Sequence, residues 1–223
     1  MDMAVEKKIV FELNGRSVEA LEGETILEAA ERIGEEIPRL CYKKGMRPDG
    51  NCRACVVEIE GERALAPSCC RNPTEGMKVT SNHGRSRHSQ QMVLELLLSD
   101  MPEQNQSPYS LESELGHWAE ELQVNSSRFP QRSQPVPDES HPAISVHLDA
   151  CIQCTRCVRA CREEQVNDVI GYAWRGTHSS IVFDLDDAMG ASSCVGCGEC
   201  VQACPTGALM PSEGVGLQIV DKV

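Results

Sequence analysis

Three features of the chain predict an α+β fold. Short β-rich runs separated by turns occupy residues 7–80, amphipathic helical segments occupy 85–123, and two cysteine runs within 144–210 repeat each other. The strands come first. KIVFELNG and RSVEA flank Asn14–Gly15, a dipeptide that readily takes the left-handed backbone of a two-residue hairpin turn. Thr25 and Glu28 have capping-box spacing ahead of ILEAAERIG, which predicts a helix ending near Gly34. ACVVEIEGERALAPS reads as a second hairpin turning at Glu60–Gly61–Glu62.

Strands around a single helix, with a cysteine-bearing loop between that helix and the second hairpin, predict a β-grasp ferredoxin domain over residues 1–82. A helical spacer follows at 83–124. Its first piece, RSRHSQQMVLELLLS, has an apolar half at Met92–Leu98. Its second, LESELGHWAEELQV, aligns Leu111, Leu115, Trp118, Ala119 and Leu122 on one stripe. Residues 125–143 hold four prolines and four serines and read as an extended linker. The duplicated cysteine runs place a bacterial-type two-cluster ferredoxin domain at 144–223.

Composition narrows the chemistry. With two Trp, three Tyr and three Phe in 223 residues, large apolar cores are not expected, and small cysteine-rich domains compensate with disulfides or metal. No run of ~18 apolar residues is present, so no membrane span is predicted. The opening MDMAVEKK has neither an apolar run of signal-peptide length nor paired arginines, so a cytoplasmic location is expected. Thiols stay reduced there, so thirteen cysteines point to metal or redox chemistry rather than disulfides. A formal charge of −13 argues against nucleic acid and anionic membranes as partners, since both attract basic surfaces.

Cys151, Cys154, Cys157 and Cys161 have the spacing C-x2-C-x2-C-x3-C, and Cys194, Cys197, Cys200 and Cys204 repeat it with Pro205 following. Two intervening residues let a tight loop wrap three corners of a [4Fe–4S] cubane, and the fourth cysteine of such a run ligates the other cluster. The first cluster is therefore expected on Cys151, Cys154, Cys157 and Cys204, the second on Cys194, Cys197, Cys200 and Cys161. Glycines such as Gly196 and Gly198 permit the close wrapping. Structural zinc prefers two separated cysteine pairs and suits neither run. The first domain carries Cys41, Cys52, Cys55 and the neighbours Cys69 and Cys70, with Gly45 and Gly50 in the intervening loop. That spacing suits a [2Fe–2S] cluster with a longer loop than the plant type, or a zinc site.

IPRLCY, GNCRACVVEIEG, APSC, MVLELLLSD, CIQCTRCVRAC and CVGCGECVQACPTGAL together resemble the iron–sulfur module opening the large subunit of NAD-linked molybdenum or tungsten formate dehydrogenases. The same module is similar to the small diaphorase subunit of NAD-reducing hydrogenase and to the start of the large iron–sulfur subunit of respiratory complex I. The likeness spans nearly residues 8–210. It implies a [2Fe–2S] cluster on Cys41, Cys52, Cys55 and Cys69, with Cys70 a packed bystander. One departure is plain. Where the family has His-Pro and three cysteines for a further [4Fe–4S] cluster, this chain has Met101 and no cysteine through residue 150, and His117 stands alone on a helix.

The resemblance implies one [2Fe–2S] and two [4Fe–4S] clusters and no catalysis by this chain alone. Its expected partners are a molybdenum or tungsten bis-pterin formate dehydrogenase catalytic subunit and a flavin/NAD diaphorase subunit. The alternatives are the electron-transfer subunit of an NAD-linked hydrogenase and a zinc-stapled interaction module. Gly214 and Gly216 form only G-x-G, too little for a nucleotide loop. The closing GVGLQIVDKV falls about where a formate dehydrogenase would pass into its molybdenum domain, fitting a separate small subunit or part of a larger one.

Overall fold

The computed structural model describes residues 8–101, 113–133 and 135–212. Leu111, Gly214 and Gly216 lie outside them. The chain divides into two compact units, one running to Leu96 and including Trp118–Ser126, the other comprising Leu97–His117 and Ser127 onward.

In the first unit β1 (Lys8–Leu13) and β2 (Arg16–Leu21) pair antiparallel with Leu13 opposite Arg16. Asn14 and Gly15 take φ of 52° and 80°, the two positive values a type I′ turn requires. α1 (Ile26–Arg32) starts with the expected capping box. The Glu28 amide donates to Thr25 Oγ1 at 3.2 Å and the Glu28 carboxylate accepts from the Thr25 amide at 2.8 Å. Such a cap contributes about 1 kcal/mol. β3 (Val56–Ile59) and β4 (Ala66–Pro67) form the second hairpin.

β5 (Lys78–Thr80), which the sequence pattern did not reveal, completes the sheet. It runs parallel to β1 and antiparallel to β3, giving the order β2-β1-β5-β3-β4. α1 buries Ile26, Leu27, Ala29 and Ala30 in a core shared with Phe11, Leu13 and Val57. α2 (Gly84–Leu98) departs from expectation: Ser86, Gln90 and Leu94 are its buried residues, while Leu96 is 47 % exposed. Gln90 is buried because its side-chain amide donates to the carbonyls of Val56 and Ser81, each at 2.9 Å. It thereby satisfies two buried backbone acceptors that would be costly to leave unpaired. In α3 (Glu114–Glu121) and the residue after it, Leu115, Trp118, Ala119 and Leu122 are buried as the stripe predicts.

The second unit is built around the repeat. β6 (Ile144–Val146) leads into the first cysteine run, whose helical part α4 (Arg156–Arg159) continues as a wider π turn over Ala160–Glu164. β7 (Ile170–Ala173) and β8 (Ser180–Phe183) form a hairpin between the runs. The second run carries α5 (Glu199–Ala203), and β9 (Leu209–Pro211) returns to pair with β6.

The proline-rich stretch expected as a linker has no helix among its described residues, yet it is fastened down. The Arg132 amide donates to the Ser99 carbonyl at 3.0 Å. Asp138 bridges to Val146, and its carboxylate accepts from the Met189 amide at 2.7 Å. The Gly190 amide donates to Ser140 Oγ at 2.8 Å, and a Cβ on Gly190 would collide with the Ser140 carbonyl. Among the described residues no helix is long and apolar enough to cross a membrane.

Candidate metal centres

The first unit gathers Cys41, Cys52, Cys55 and Cys69. The Cys41 amide donates to Cys52 Sγ at 3.3 Å, and the Cys55 and Cys69 sulfurs stand 3.4 Å apart. α1 places the fourth cysteine: the Ile26 and Leu27 amides at its open N-terminus donate to the Arg71 and Ser68 carbonyls at 2.8 and 3.1 Å. Ser68 in turn donates both its amide and its hydroxyl to the Cys55 carbonyl, at 3.1 and 2.8 Å. A left-handed Arg53, φ 60°, turns the chain between Cys52 and Cys55. Cys70 is exposed, with its sulfur 3.5 Å from that of Cys69. Gly50, φ +63°, comes so close that a Cβ there would lie 2.9 Å from Cys70 Sγ.

Packed together, these thiols do not titrate alike. Hydrogen bonds with Cys52 and Cys69 hold the Cys41 thiol well below its ordinary value. The bond with Cys69 lowers Cys55. Cys52 is pushed up by its bond with Cys41 and by burial, and Cys69 by its bonds with Cys41 and Cys55 and by burial. Neighbouring thiols that share protons in this way release them together when they bind metal.

In the second unit one pocket of about 350 Å3, its open mouth included, is lined by Cys151, Cys154, Cys157 and Cys204. Another of about 310 Å3 is lined by Cys161, Cys194, Cys197 and Cys200. Each thus brings together three cysteines of one run and the fourth of the other. The remaining walls are largely apolar, with Ile152, Ile181 and Leu209 at the first and Ile144, Val169 and Ile170 at the second. Burial pushes the Cys151 and Cys200 thiols up to about 12, and Cys154 and Cys157 higher still. Thiols in such surroundings become thiolates only when a cation shares the space.

The loops show how three sulfurs face one pocket. Gln153 and Thr155 in the first run have φ of 57° and 61°, and Gly196 and Gly198 at the matching places in the second have 68° and 81°. In both runs the amide two residues after the first cysteine donates to that cysteine's sulfur at 3.4 Å, from Gln153 to Cys151 and from Gly196 to Cys194. The glycines were visible in the sequence. Gln153 and Thr155 could have been found only by overlaying one run on the other.

Four thiols with apolar, carboxylate-free walls and an amide aimed at sulfur suit iron–sulfur clusters at the two pockets, and four gathered thiols with the Cys41 amide on Cys52 Sγ suit one in the first unit. Among the described residues, no group of three or more His, Cys, Asp or Glu converges on the position of a single metal ion. Near the expected histidine position, Met101 is buried and its carbonyl accepts from Gln131 Nε2 at 2.7 Å. His83 and His117 are exposed.

Residues 6–84 match the 2Fe-2S iron-sulfur cluster binding domain family and residues 150–208 the 4Fe-4S dicluster domain family. An NADH-quinone oxidoreductase subunit of Rhizobium meliloti is 36% identical over 202 residues, covering 89% of this chain and 23% of the relative. NADP-reducing hydrogenase subunit HndD of Solidesulfovibrio fructosivorans is 36% identical over 218 residues, covering 92% and 36%. A protein of Staphylococcus haemolyticus named "Putative formate dehydrogenase SH0748" is 26% identical over 212 residues, covering 92% and 21%. The chain thus spans between about a fifth and a little over a third of these relatives' lengths. A solved NAD+-reducing [NiFe]-hydrogenase chain in the H2-reduced state superimposes with a TM-score of 0.85 at 28% identity, covering 95% of this chain and 91% of that one. The protein is an iron–sulfur electron-transfer chain, in which a 2Fe-2S cluster-binding domain is followed by a 4Fe-4S dicluster domain.

Proposed function

We propose that the chain relays single electrons between a substrate-oxidising catalytic subunit and a flavin/NAD diaphorase subunit. A [2Fe–2S] cluster would sit on Cys41, Cys52, Cys55 and Cys69. Two [4Fe–4S] clusters would sit on Cys151, Cys154, Cys157 with Cys204, and on Cys194, Cys197, Cys200 with Cys161. The observation that carries this reading is the crossed lining of the two pockets, three cysteines from one run and one from the other. Bound clusters supply one-electron carriers. The chain's residues hold them with thiolates, donate amide hydrogen bonds to sulfur from Gln153 and Gly196, and limit water with apolar walls.

For the catalytic partner, the motif resemblance supports a molybdenum or tungsten bis-pterin formate dehydrogenase. The likeness to the NAD+-reducing hydrogenase chain supports a second reading, a hydrogen-oxidising partner. A cytoplasmic location accords with either.

The anaerobically isolated chain should hold about ten irons, with EPR signals of one [2Fe–2S] and an interacting pair of [4Fe–4S] clusters on reduction. Stoichiometric zinc in place of iron would overturn the reading. Co-isolation with a pterin-containing or a nickel-containing subunit separates the two catalytic partners.

A further inference from the structure

The two cysteine runs match in spacing but differ in charge. At the position just before the third cysteine the first run has Arg156 and the second has Glu199. Two residues beyond that cysteine the first has Arg159 and the second Gln202. Both arginines are buried, at 2% and 3% exposure. Arginine is almost never fully buried unless paired, because a charge taken out of water must be compensated.

Arg156 has such compensation. Its two terminal nitrogens donate to the two carboxylate oxygens of Glu114 at 2.7 and 2.8 Å, a bidentate pair. The Glu114 amide donates to the carbonyl of Pro205 at 2.9 Å, one residue after Cys204. Glu114 therefore ties the Arg156 side chain and the Cys204–Pro205 backbone to one point, and their chain neighbours Thr155, Cys157, Cys204 and Thr206 line the first cubane pocket. The pair is lopsided: the Arg156 side chain is 3% exposed and that of Glu114 36%. Water screens the carboxylate more than the guanidinium, so the field reaching the pocket is net positive.

We propose that Arg156, oriented by Glu114, raises the reduction potential of the cluster at Cys151, Cys154, Cys157 and Cys204 above that of its twin. The inference rests on the cluster assignment above. Reduction adds one negative charge, and a buried positive charge beside the first site stabilises that state. The half-exposed Glu199 at the second site does not. The first site is then the one that fills first. Arg156 acts as a tuning residue and Glu114 as its positioning residue.

The test is an EPR-monitored redox titration of the iron-loaded full chain, with iron counted in every variant. Cys151→Ser assigns the first-site signal by perturbing it. Arg156→Met should lower the first-site midpoint and leave the second nearly in place, and Arg156→Lys should stay near the parent. Glu114→Gln should move the first site the opposite way, upward, because it removes the screening charge and keeps the arginine. If Arg156→Met does not hold iron, the Lys and Gln variants decide the question alone. The proposal is overturned if both cubane signals move equally, if neither moves, or if Glu114→Gln moves the first site downward, as simple loosening would. Absence of about ten irons in the parent chain would instead overturn the cluster assignment.

Discussion

Residues 151–161 and 194–204 bend through the same left-handed positions and aim the same amide at the same sulfur, yet with different side chains. The second run uses Gly196 and Gly198 where the first uses Gln153 and Thr155. A left-handed conformation costs a residue with a Cβ roughly 1–2 kcal/mol. For β-branched Thr155, whose Oγ1 donates to the Cys154 carbonyl at 2.7 Å, it is a true outlier. The runs also differ in cover. Cys154 and Cys157 are buried, whereas Cys197 is exposed and Val195 beside it is 67% exposed. Wrapping a pocket thus dictates backbone shape and sulfur positions, and leaves residue type and solvent access free to diverge.

The largest effect should come from breaking the crossing itself. Cys161→Ala and Cys200→Ala should each remove about four of about ten irons, and the double variant no more, because both belong to one site. Cys161→Ala with Cys157→Ala should remove about eight. If the first double variant loses eight and the second four, each run holds its own cluster.

Unequal cover predicts the order of iron loss. A ferrous chelator added to the reduced protein should extract the irons of the Cys197 site first, followed by EPR. Equal rates, or earlier loss at Cys157, would mean the exposure of Cys197 does not control access.

The difference in residue type predicts unequal tolerance. Gly198→Val should destabilise the iron-loaded protein by about 1–2 kcal/mol, or several degrees in Tm. Thr155→Gly should stay within about 1 kcal/mol, relief of strain offsetting the freedom gained by the unfolded chain. Comparable losses in thermal melts would show that the two loops are not equivalent.

The smallest effect concerns the approach to the second run. Burial pushes the Asp138 carboxyl up, but hydrogen bonds from Ser140 and the Met189 amide outweigh it and hold the group below its ordinary value. A depressed carboxyl stabilises the fold at neutral pH, and that contribution is lost as pH falls from about 4 through its folded value. Asp138→Asn should remove this acid-linked loss, of at most about 1 kcal/mol for a group so open to water. Unchanged acid sensitivity would show that other carboxylates carry it.

Local features were readable because their causes are local. Asn14–Gly15, the Thr25/Glu28 capping box and the stripe through Leu115, Trp118, Ala119 and Leu122 need only neighbouring residues. β5 was not readable: three residues become a strand only when β1 and β3 supply partners on both sides. The burial of Gln90 was hidden too, because its two acceptors, Val56 and Ser81, are distant or non-helical backbone. The prolines of 125–143 marked an extended stretch, but not where it is held: Asp138 and Ser140 accept from amides about fifty residues away.

By itself the sequence determined the donor chemistry, thirteen thiols in three groups, and the spacing that obliges a tight loop to present three of them together. The sequence also called for the fourth cysteine of each run to cross to the other set, and the tertiary structure supplies the means: β6 and β9 pair, and Cys161 and Cys204 line the opposite pockets. Tertiary structure alone decided that Arg156, next to Cys157 in the chain, lies buried, because the compensating Glu114 comes from a helix forty-two residues earlier. Spacing is a property of the chain, whereas burial and charge pairing exist only once distant segments have met.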